Sequence, residues 1–337
     1  MSRRRRAYPA IALLVLAVVA PGQARIDAAE PAKPIAWTFS HCCSPNTGWG
    51  TAVQVWAERI KQESNGRIVI TIYPNGQLSG GNQQKEIGLI QAGDIQAGVI
   101  PFVILSTQEP KFNIPSLPFA VPNNATGNRI MAGPEGKKLL GYVEPKGLKG
   151  LAVASAGFRQ FLGRTKPLLT PADFKNVKIR VQPGEMASMI FKQLGADPVV
   201  MNYADVYTAL QQKALDAIEM PASFILNDKF HEVAKHITVS NYQYQPVGIV
   251  ANQNAWNALA PADQGLVQKI SDEIFAKQRQ DVDVDDRAAL EKLKALGVTV
   301  TVLGPDQMQA FREKMKPVYD LFTQRYGTAV TEFLNAK

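Results

Sequence analysis

Apolar positions along the chain repeat with two different periods, and each change of period marks the edge of an element. Residues 35–40 form an apolar run of strand length. Residues 49–65 carry apolar side chains at helical spacing and stop at Gly66. In residues 67–73, Ile68, Ile70 and Ile72 fall on every second position, and the run ends at Pro74-Asn75-Gly76, so a strand leads into a turn. Residues 82–92 predict a helix stopped by Gly93, and residues 97–102 a buried strand. Strand, helix, strand, helix, strand is the order of a parallel sheet with helices on both faces. A second series follows, with strands at 151–155 and 177–181, a helix at 186–193, a strand at 198–200, a helix at 204–212 and a strand ending near Glu219. After a polar stretch, residues 246–252 return as an apolar strand.

Between Pro261 and Gly297 the chain has neither Gly nor Pro except Gly265 in the first turn. Val267, Ile270, Ile274, Val282, Ala289, Leu293 and Leu296 recur at helical spacing, with one polar gap at Gln278. At a rise of about 1.5 Å per residue this helix is roughly 50 Å long, more than one domain can cover. Its heptads are too irregular for a coiled coil, so it braces two domains. The expected fold is therefore α/β, a two-domain clamshell with a long helix spanning both. Residues 35–156 with 245–260 make one domain, 157–244 with 298–337 the other, and 261–297 the spanning helix. The natural site of such a fold is the crevice at the carboxyl ends of the strands.

The N-terminus changes the reading of the charge. Arg3 to Arg6 precede a short apolar run, residues 10–20, and then Pro21-Gly22-Gln23-Ala24. A basic region, a short apolar core and small residues predict a cleaved signal peptide over residues 1–24 and an exported, periplasmic protein. The run is about half of the roughly 20 residues a spanning helix needs. No cysteine lies near the cleavage site to carry a lipid. Removing the four arginines takes the formal charge from +8 to +4, and no basic block with interleaved aromatics remains, so no nucleic-acid partner is expected. The only cysteines are the neighbours Cys42 and Cys43. Pairing them would close a small strained ring, so they read as free thiols.

Catalytic signatures are missing. There is no G-x-G-x-x-G after a strand, no G-x-x-x-x-G-K-[ST], no H-E-x-x-H and no G-x-S-x-G. His231 and His236 are five apart in a polar segment and read as solvated surface. Neither a metal site nor a cofactor is expected, and the chain does not read as an enzyme. Two arginines stand out instead, Arg180 at the end of the strand "VKIRV" and Arg159 in "AGFRQF", just past the strand at 151–155. Each can face the crevice, and the planar guanidinium fork grips a carboxylate through two parallel charge-assisted hydrogen bonds that Lys cannot reproduce.

The segment "FKNVKIRVQPGEMASMIFKQLGADPVVMNYADVYTALQQKALDAIEMP", residues 174–221, resembles the core of the DctP-type solute-binding proteins of tripartite ATP-independent periplasmic (TRAP) transporters. "ESNGRIVITIYPNGQLSGG", "QAGDIQAGVI", "NIPSLPFAVPN" and "NAWNALAPADQ" are similar to the same family and follow in the same order. The resemblance implies a clamshell of the periplasmic-binding-protein type. Such a receptor closes around an organic acid and delivers it to a membrane permease driven by an ion gradient. It further implies that Arg180 forms the salt bridge to the ligand carboxylate and that Arg159 adds contacts. His41, Cys42, Cys43 and Phe102 line the site in this reading, and Glu219 helps hold a cation with the ligand in some members.

One departure bears on the ligand. Where the family commonly has Asn after the Glu, this chain reads "DAIEMP" and places Met220. Methionine gives an apolar, adaptable surface in place of a group that both donates and accepts. With Phe102 it favours a carboxylate with an apolar or aromatic body over sugar acids and small dicarboxylates. Two other classes stay open, the binding protein of an ATP-driven (ABC) importer and a periplasmic enzyme using a Cys42 or Cys43 thiol with His41.

Overall fold

The computed structural model describes residues 33–336, so the expected signal segment lies outside the described residues. The first half begins β1(Ile35–Ser40), α1(Gly48–Glu63), β2(Ile68–Tyr73), α2(Gln83–Ala92) and β3(Ala97–Pro101). Its connection carries α3(Phe102–Leu105), α4(Asn124–Ala132) and α5(Pro134–Gly141) before the long strand β4(Leu148–Gly163). The second half follows with β5(Lys178–Val181), α6(Glu185–Gln193), β6(Asp197–Val200), α7(Val206–Gln211), β7(Ala217–Met220) and α8(Ala222–Asn227). A second long strand, β8(His236–Asn252), leads through α9(Gln253–Asn257) to α10(Pro261–Ala295), and β9(Thr299–Val302) with α11(Pro305–Lys314), α12(Lys316–Tyr326) and α13(Thr328–Asn335) close the chain.

All nine strands form one sheet in the order β2-β1-β3-β8-β4-β7-β5-β6, with β9 against β8. The expected parallel series appear at its two wings, β2-β1-β3 and β7-β5-β6. The centre departs from a parallel sheet, since β4 and β8 run antiparallel along most of their length. Sequence patterning breaks both of these strands too early. The stretch at 151–155 is only part of a 16-residue strand, and the polar stretch before residue 246 is the first half of a 17-residue one. Both are buried on both faces where they cross the middle, so Gln243 and Gln245 are interior residues and the apolar alternation disappears. The expected domain boundaries, 156/157 and 244/245, fall inside these two continuous strands. Arg159 is accordingly a mid-strand residue, not one beyond a strand end.

β4 survives its Ser-Ala-Gly stretch by bulging between Ser155 and Phe158. Gly157 takes φ +83° there, and a Cβ at that position would stand 2.4 Å from Asp286 Oδ2, so only glycine suits the turn. The long helix clasps this irregularity. Gln278 accepts from the Ser155 amide at 2.9 Å and donates to the Ser155 carbonyl at 2.7 Å, so the polar gap in the helical stripe serves the backbone that the bulge leaves unpaired. α10 starts with Pro261 at its first position and stops before Gly297 at φ +80°, with Leu296 exposed rather than in the apolar stripe. Toward its start Trp56 of α1 donates to Ser271, and further along Asp286 accepts from the Ser223 amide of α8, so one helix ties the two wings. Apolar side chains pack in two clusters, one holding Ile100, Phe102 and Val181, the other Val99, Ile218 and Met220.

Helix α2 starts on Asn82, whose side chain accepts from the Lys85 amide, and buries Glu86. Neither Glu86 carboxyl oxygen makes a well-formed hydrogen bond. Burial pushes this carboxyl from its ordinary 4.5 up to about 7, with the nearby Ser40 hydroxyl working the other way. Between those values the folded chain keeps a proton that the unfolded chain releases, so this group's contribution to stability falls as pH rises from 4.5 to about 7. His41 works oppositely, since burial lowers it to about 4 and its contribution rises with pH up to its ordinary 6.5. Comparing Glu86→Gln with the parent isolates the carboxyl. Its stability advantage is expected to grow by on the order of 2 kcal/mol between pH 5 and pH 8, read from thermal melts at both. An advantage independent of pH would mean that Glu86 is ionised in the folded chain.

Candidate functional site

Strand ends from both wings converge on one cavity. Cys42 and Cys43 follow β1, Pro101 ends β3, Gln182 follows β5 and Met220 ends β7. The two long strands add Ala156, Arg159 and Gln245 from their middles. Trp49 of α1 and Phe224 of α8 meet edge to face, 4.8 Å between centroids, and close one side. Gln83, Tyr203 and Pro221 complete the lining. The volume is about 10 Å³, room for about one water and too little for a larger solute.

The two arginines differ sharply in how they are satisfied. Arg159 donates from Nε to the Glu219 carboxylate, from one terminal nitrogen to Gln245 Oε1 and from the other to the Glu219 carbonyl. Tyr242 donates to the same Glu219 oxygen at 2.7 Å. Burial works against the charged form of Arg159, but Glu219 more than offsets it and the guanidinium is held above its ordinary value. Arg180 is just as buried and has only one bond, from Nε to the Met201 carbonyl at 3.0 Å. Neither of its terminal nitrogens has a hydrogen-bond partner among the described residues. Its guanidinium lies 5.9 Å from the centre of the Tyr203 ring. Burial first, and then the neighbouring charge of Arg159, lower it to about 10, still cationic at neutral pH.

Strand β5 explains why Arg180 is there. Ile179 and Val181 point into one apolar cluster, so the pleat turns Arg180 to the other face, on the side of Tyr203, which lines the cavity, while Arg180 itself is not among the lining residues. An unpaired buried guanidinium is costly, and buried charges are normally paired. Both free nitrogens lie in one plane, which is the geometry that accepts two carboxylate oxygens.

The remaining predicted residues separate into three groups. Met220, Cys42 and Cys43 line the cavity. The thiols are free and 3.1 Å apart, both on the cavity side because the chain bends at them. His41 is buried behind the wall, with neither ring nitrogen hydrogen-bonded, so it makes no dyad with a thiol. Burial pushes the Cys43 thiol up, the wrong direction for an activated nucleophile. Glu219 accepts from Arg159 and Tyr242 at one oxygen, while its Oε1 has no hydrogen-bond partner among the described residues. Among the described residues no cluster of His, Cys, Asp or Glu has the makings of a metal site. Phe102, like Arg180, His41 and Glu219, is not among the lining residues: its ring packs on Phe112 at 4.8 Å between centroids, in the apolar cluster away from Met220, and its neighbour Pro101 lines the cavity. The short helix α3 begins at residue 102, and this turns the side chain inward. His231 and His236 are half-buried rather than solvated, His231 lying 3.3 Å from the Ile225 carbonyl.

Sequence reasoning passed over Trp49, Gln182, Tyr203, Phe224 and Gln245. Gln182 carried a signal, since it directly follows an apolar strand, as Arg180 nearly does. The others come from helices or from the polar stretch within β8, where no period pointed to a crevice.

Known proteins give this cavity its context. The profile of the bacterial extracellular solute-binding proteins, family 7 (DctP), matches residues 39–325. The C4-dicarboxylate-binding periplasmic protein DctP of Rhodobacter capsulatus is 32% identical over 88% of this chain and 89% of its own length. The crystal structure of a TRAP periplasmic solute-binding protein from Ralstonia eutropha H16, with bound (S)-2-acetolactate, superposes with a TM-score of 0.85 at 30% identity, covering 90% of this chain and 98% of that one. The sugar-acid-binding protein DctPAm of Advenella mimigardefordensis, in complex with galactonate, gives 0.87 at 28% identity over 90% of this chain and 98% of its own. With the profile spanning most of the described residues, the chain belongs to the DctP family of TRAP-transporter solute-binding proteins.

Proposed function

We propose that this protein captures an organic acid by its carboxylate at Arg180 and hands it to a membrane permease. One observation carries the reading, the pair of terminal nitrogens without a partner on a fully buried Arg180, whose guanidinium lies 5.9 Å from the ring of the cavity residue Tyr203. A carboxylate there satisfies both donors at once and cancels the charge. The similar proteins bind a dicarboxylate, a hydroxy-oxo acid and a sugar acid, and a carboxylate is what these share.

Capture proceeds by closure. With the wings apart, Arg180 meets the acid in water. As they shut, water leaves, the effective dielectric falls and the ion pair strengthens. The acid therefore favours the shut form only to the extent that it binds it better, and the permease reads the shut surface. Export to the periplasm accords with the N-terminal segment and with the family. No described helix is long and apolar enough to cross a membrane. A receptor rather than an enzyme is further supported by His41 and Cys43, whose burial favours the neutral imidazole and the neutral thiol.

Thermal unfolding against keto acids, dicarboxylates, sugar acids and aromatic acids tests this. A true ligand at about 100 times its dissociation constant adds about 2.7 kcal/mol and raises the midpoint by several degrees. If no acid raises the midpoint, the carboxylate reading falls.

A further inference from the structure

Cys42 and Cys43 are the only cysteines of the chain, so any disulfide within it joins these two neighbours. Both line the cavity and both are buried. Their Sγ atoms stand 3.1 Å apart, roughly 1 Å more than in a disulfide bond, and the Gln83 amide donates to Cys42 Sγ at 3.2 Å. The pair is reduced in this structure and poised to close.

The backbone is held on either side of the pair and free in the middle. The His41 carbonyl accepts from the Gly76 amide at 2.9 Å, and the Cys43 carbonyl accepts from the Asn75 amide at 3.0 Å. Among the described residues, neither the Cys42 carbonyl nor the Cys43 amide makes a backbone hydrogen bond. Both residues lie in a bend beyond the end of β1, so no strand pairing fixes the peptide between them. That peptide can rotate as the sulfurs approach, without breaking the bonds that anchor its flanks. The closed ring is nonetheless strained. Neighbouring Cα atoms stand about 3.8 Å apart across a trans peptide, below the roughly 4.4 Å at which ordinary disulfides begin. Strain of this kind makes the bond easy to reduce, as labile disulfides are and structural ones are not.

We propose that Cys42 and Cys43 are a reversible modification site, interconverting between the thiol pair and a vicinal disulfide in the wall of the cavity. The oxidant is a low-molecular-weight disulfide of the periplasm, the oxidising compartment proposed for this chain. Cys42 attacks one sulfur of that disulfide and expels a thiolate. Cys43 then attacks the Cys42 sulfur and expels the second. The protons of the two cysteines pass to the two expelled thiolates, so the pair loses two hydrogens and the oxidant gains them. Burial pushes the Cys43 thiol up, which makes Cys42 the first to attack. Because both thiols are buried, exchange takes place with the wings apart. Neither Arg180 nor an acid takes part, so the site shares with carboxylate capture only the opening of the wings.

Oxidation of the purified, ligand-free protein with excess glutathione disulfide tests it, followed by denaturation in iodoacetamide and intact mass. The folded parent is expected to lose two hydrogens and to gain neither an alkyl group nor glutathione. Excess reduced glutathione is expected to restore two alkylatable thiols. Cys43→Ser lacks the resolving sulfur and is expected to stop at one glutathione adduct. Two alkylatable thiols left in the folded parent, while the denatured chain oxidises, overturn the proposal and leave carboxylate capture untouched. A lasting glutathione adduct or a covalent dimer of the parent overturns it as well. A disulfide that survives excess reduced glutathione overturns its reversibility, and Cys43→Ser left unmodified overturns Cys42 as the attacking sulfur.

Discussion

Arg180→Ala loses at least a hundredfold to a thousandfold in affinity for the acid ligand, while the unliganded protein melts at the same temperature or higher. The two halves of this result have one cause. In the shut protein Arg180 is a buried charge with two unpartnered nitrogens, and its single bond is to the Met201 carbonyl. Removing such a group relieves a desolvation cost and gives up little. The ligand loses a bidentate pair, and hydrogen bonds to charged groups contribute about 1.5–3 kcal/mol each, with about 1.4 kcal/mol per factor of ten. Arg180→Lys should recover only part of the affinity, because an ammonium cannot present the fork. Calorimetry with thermal melts of both variants decides the matter. A marked drop in the unliganded midpoint of Arg180→Ala, with ligand affinity preserved, would show that the residue is structural.

Glu219→Ala behaves in the opposite way and costs the fold about 3–5 kcal/mol, since breaking a buried pair strands the remaining charge. Arg159 would lose the carboxylate that accepts from its Nε and keep the Glu219 backbone carbonyl, and Tyr242 would lose the same carboxylate. A midpoint drop on the order of 10 °C is expected. By contrast, an exposed pair such as Arg59–Glu63 should change stability by at most about 1 kcal/mol when broken. Replacing both partners, Arg159→Met with Glu219→Leu, should recover most of the loss, because no buried charge is then left over. Glu219→Gln adds a link to selectivity. It keeps the volume but leaves the Arg159 guanidinium at the cavity without its counter-charge, so a dicarboxylate such as succinate should gain affinity relative to the parent. If Glu219→Ala melts like the parent, Arg159 is not held as a buried ion pair.

Local pattern was enough to place the wings. Every element from β1 to β3 and from β5 to β7 answers to an apolar period, a glycine stop or a turn signal, because each buries one defined face and the rest of its surface is solvated. The long helix was equally legible, since its apolar stripe runs from Val267 to Leu293. Arg180 could be singled out for the same reason: the pleat that buries Ile179 and Val181 sends it the other way.

Only the tertiary structure decided the centre of the molecule and the state of each charge. β4 and β8 are buried on both faces, so they show no alternation, and their glutamines are satisfied by partners 80 or more residues away. Phe102 and Pro101 are neighbours in the chain, yet a helical turn separates core from cavity. Above all, Arg159 and Arg180 are alike in the sequence and opposite in the fold. One makes a salt bridge to Glu219, 60 residues further on, and the other makes none and leaves both terminal nitrogens unpartnered. A local period fixes which face a side chain takes, because that depends on backbone geometry alone. Whether its charge is paired depends on what distant segments bring to that face, and no short-range pattern encodes it.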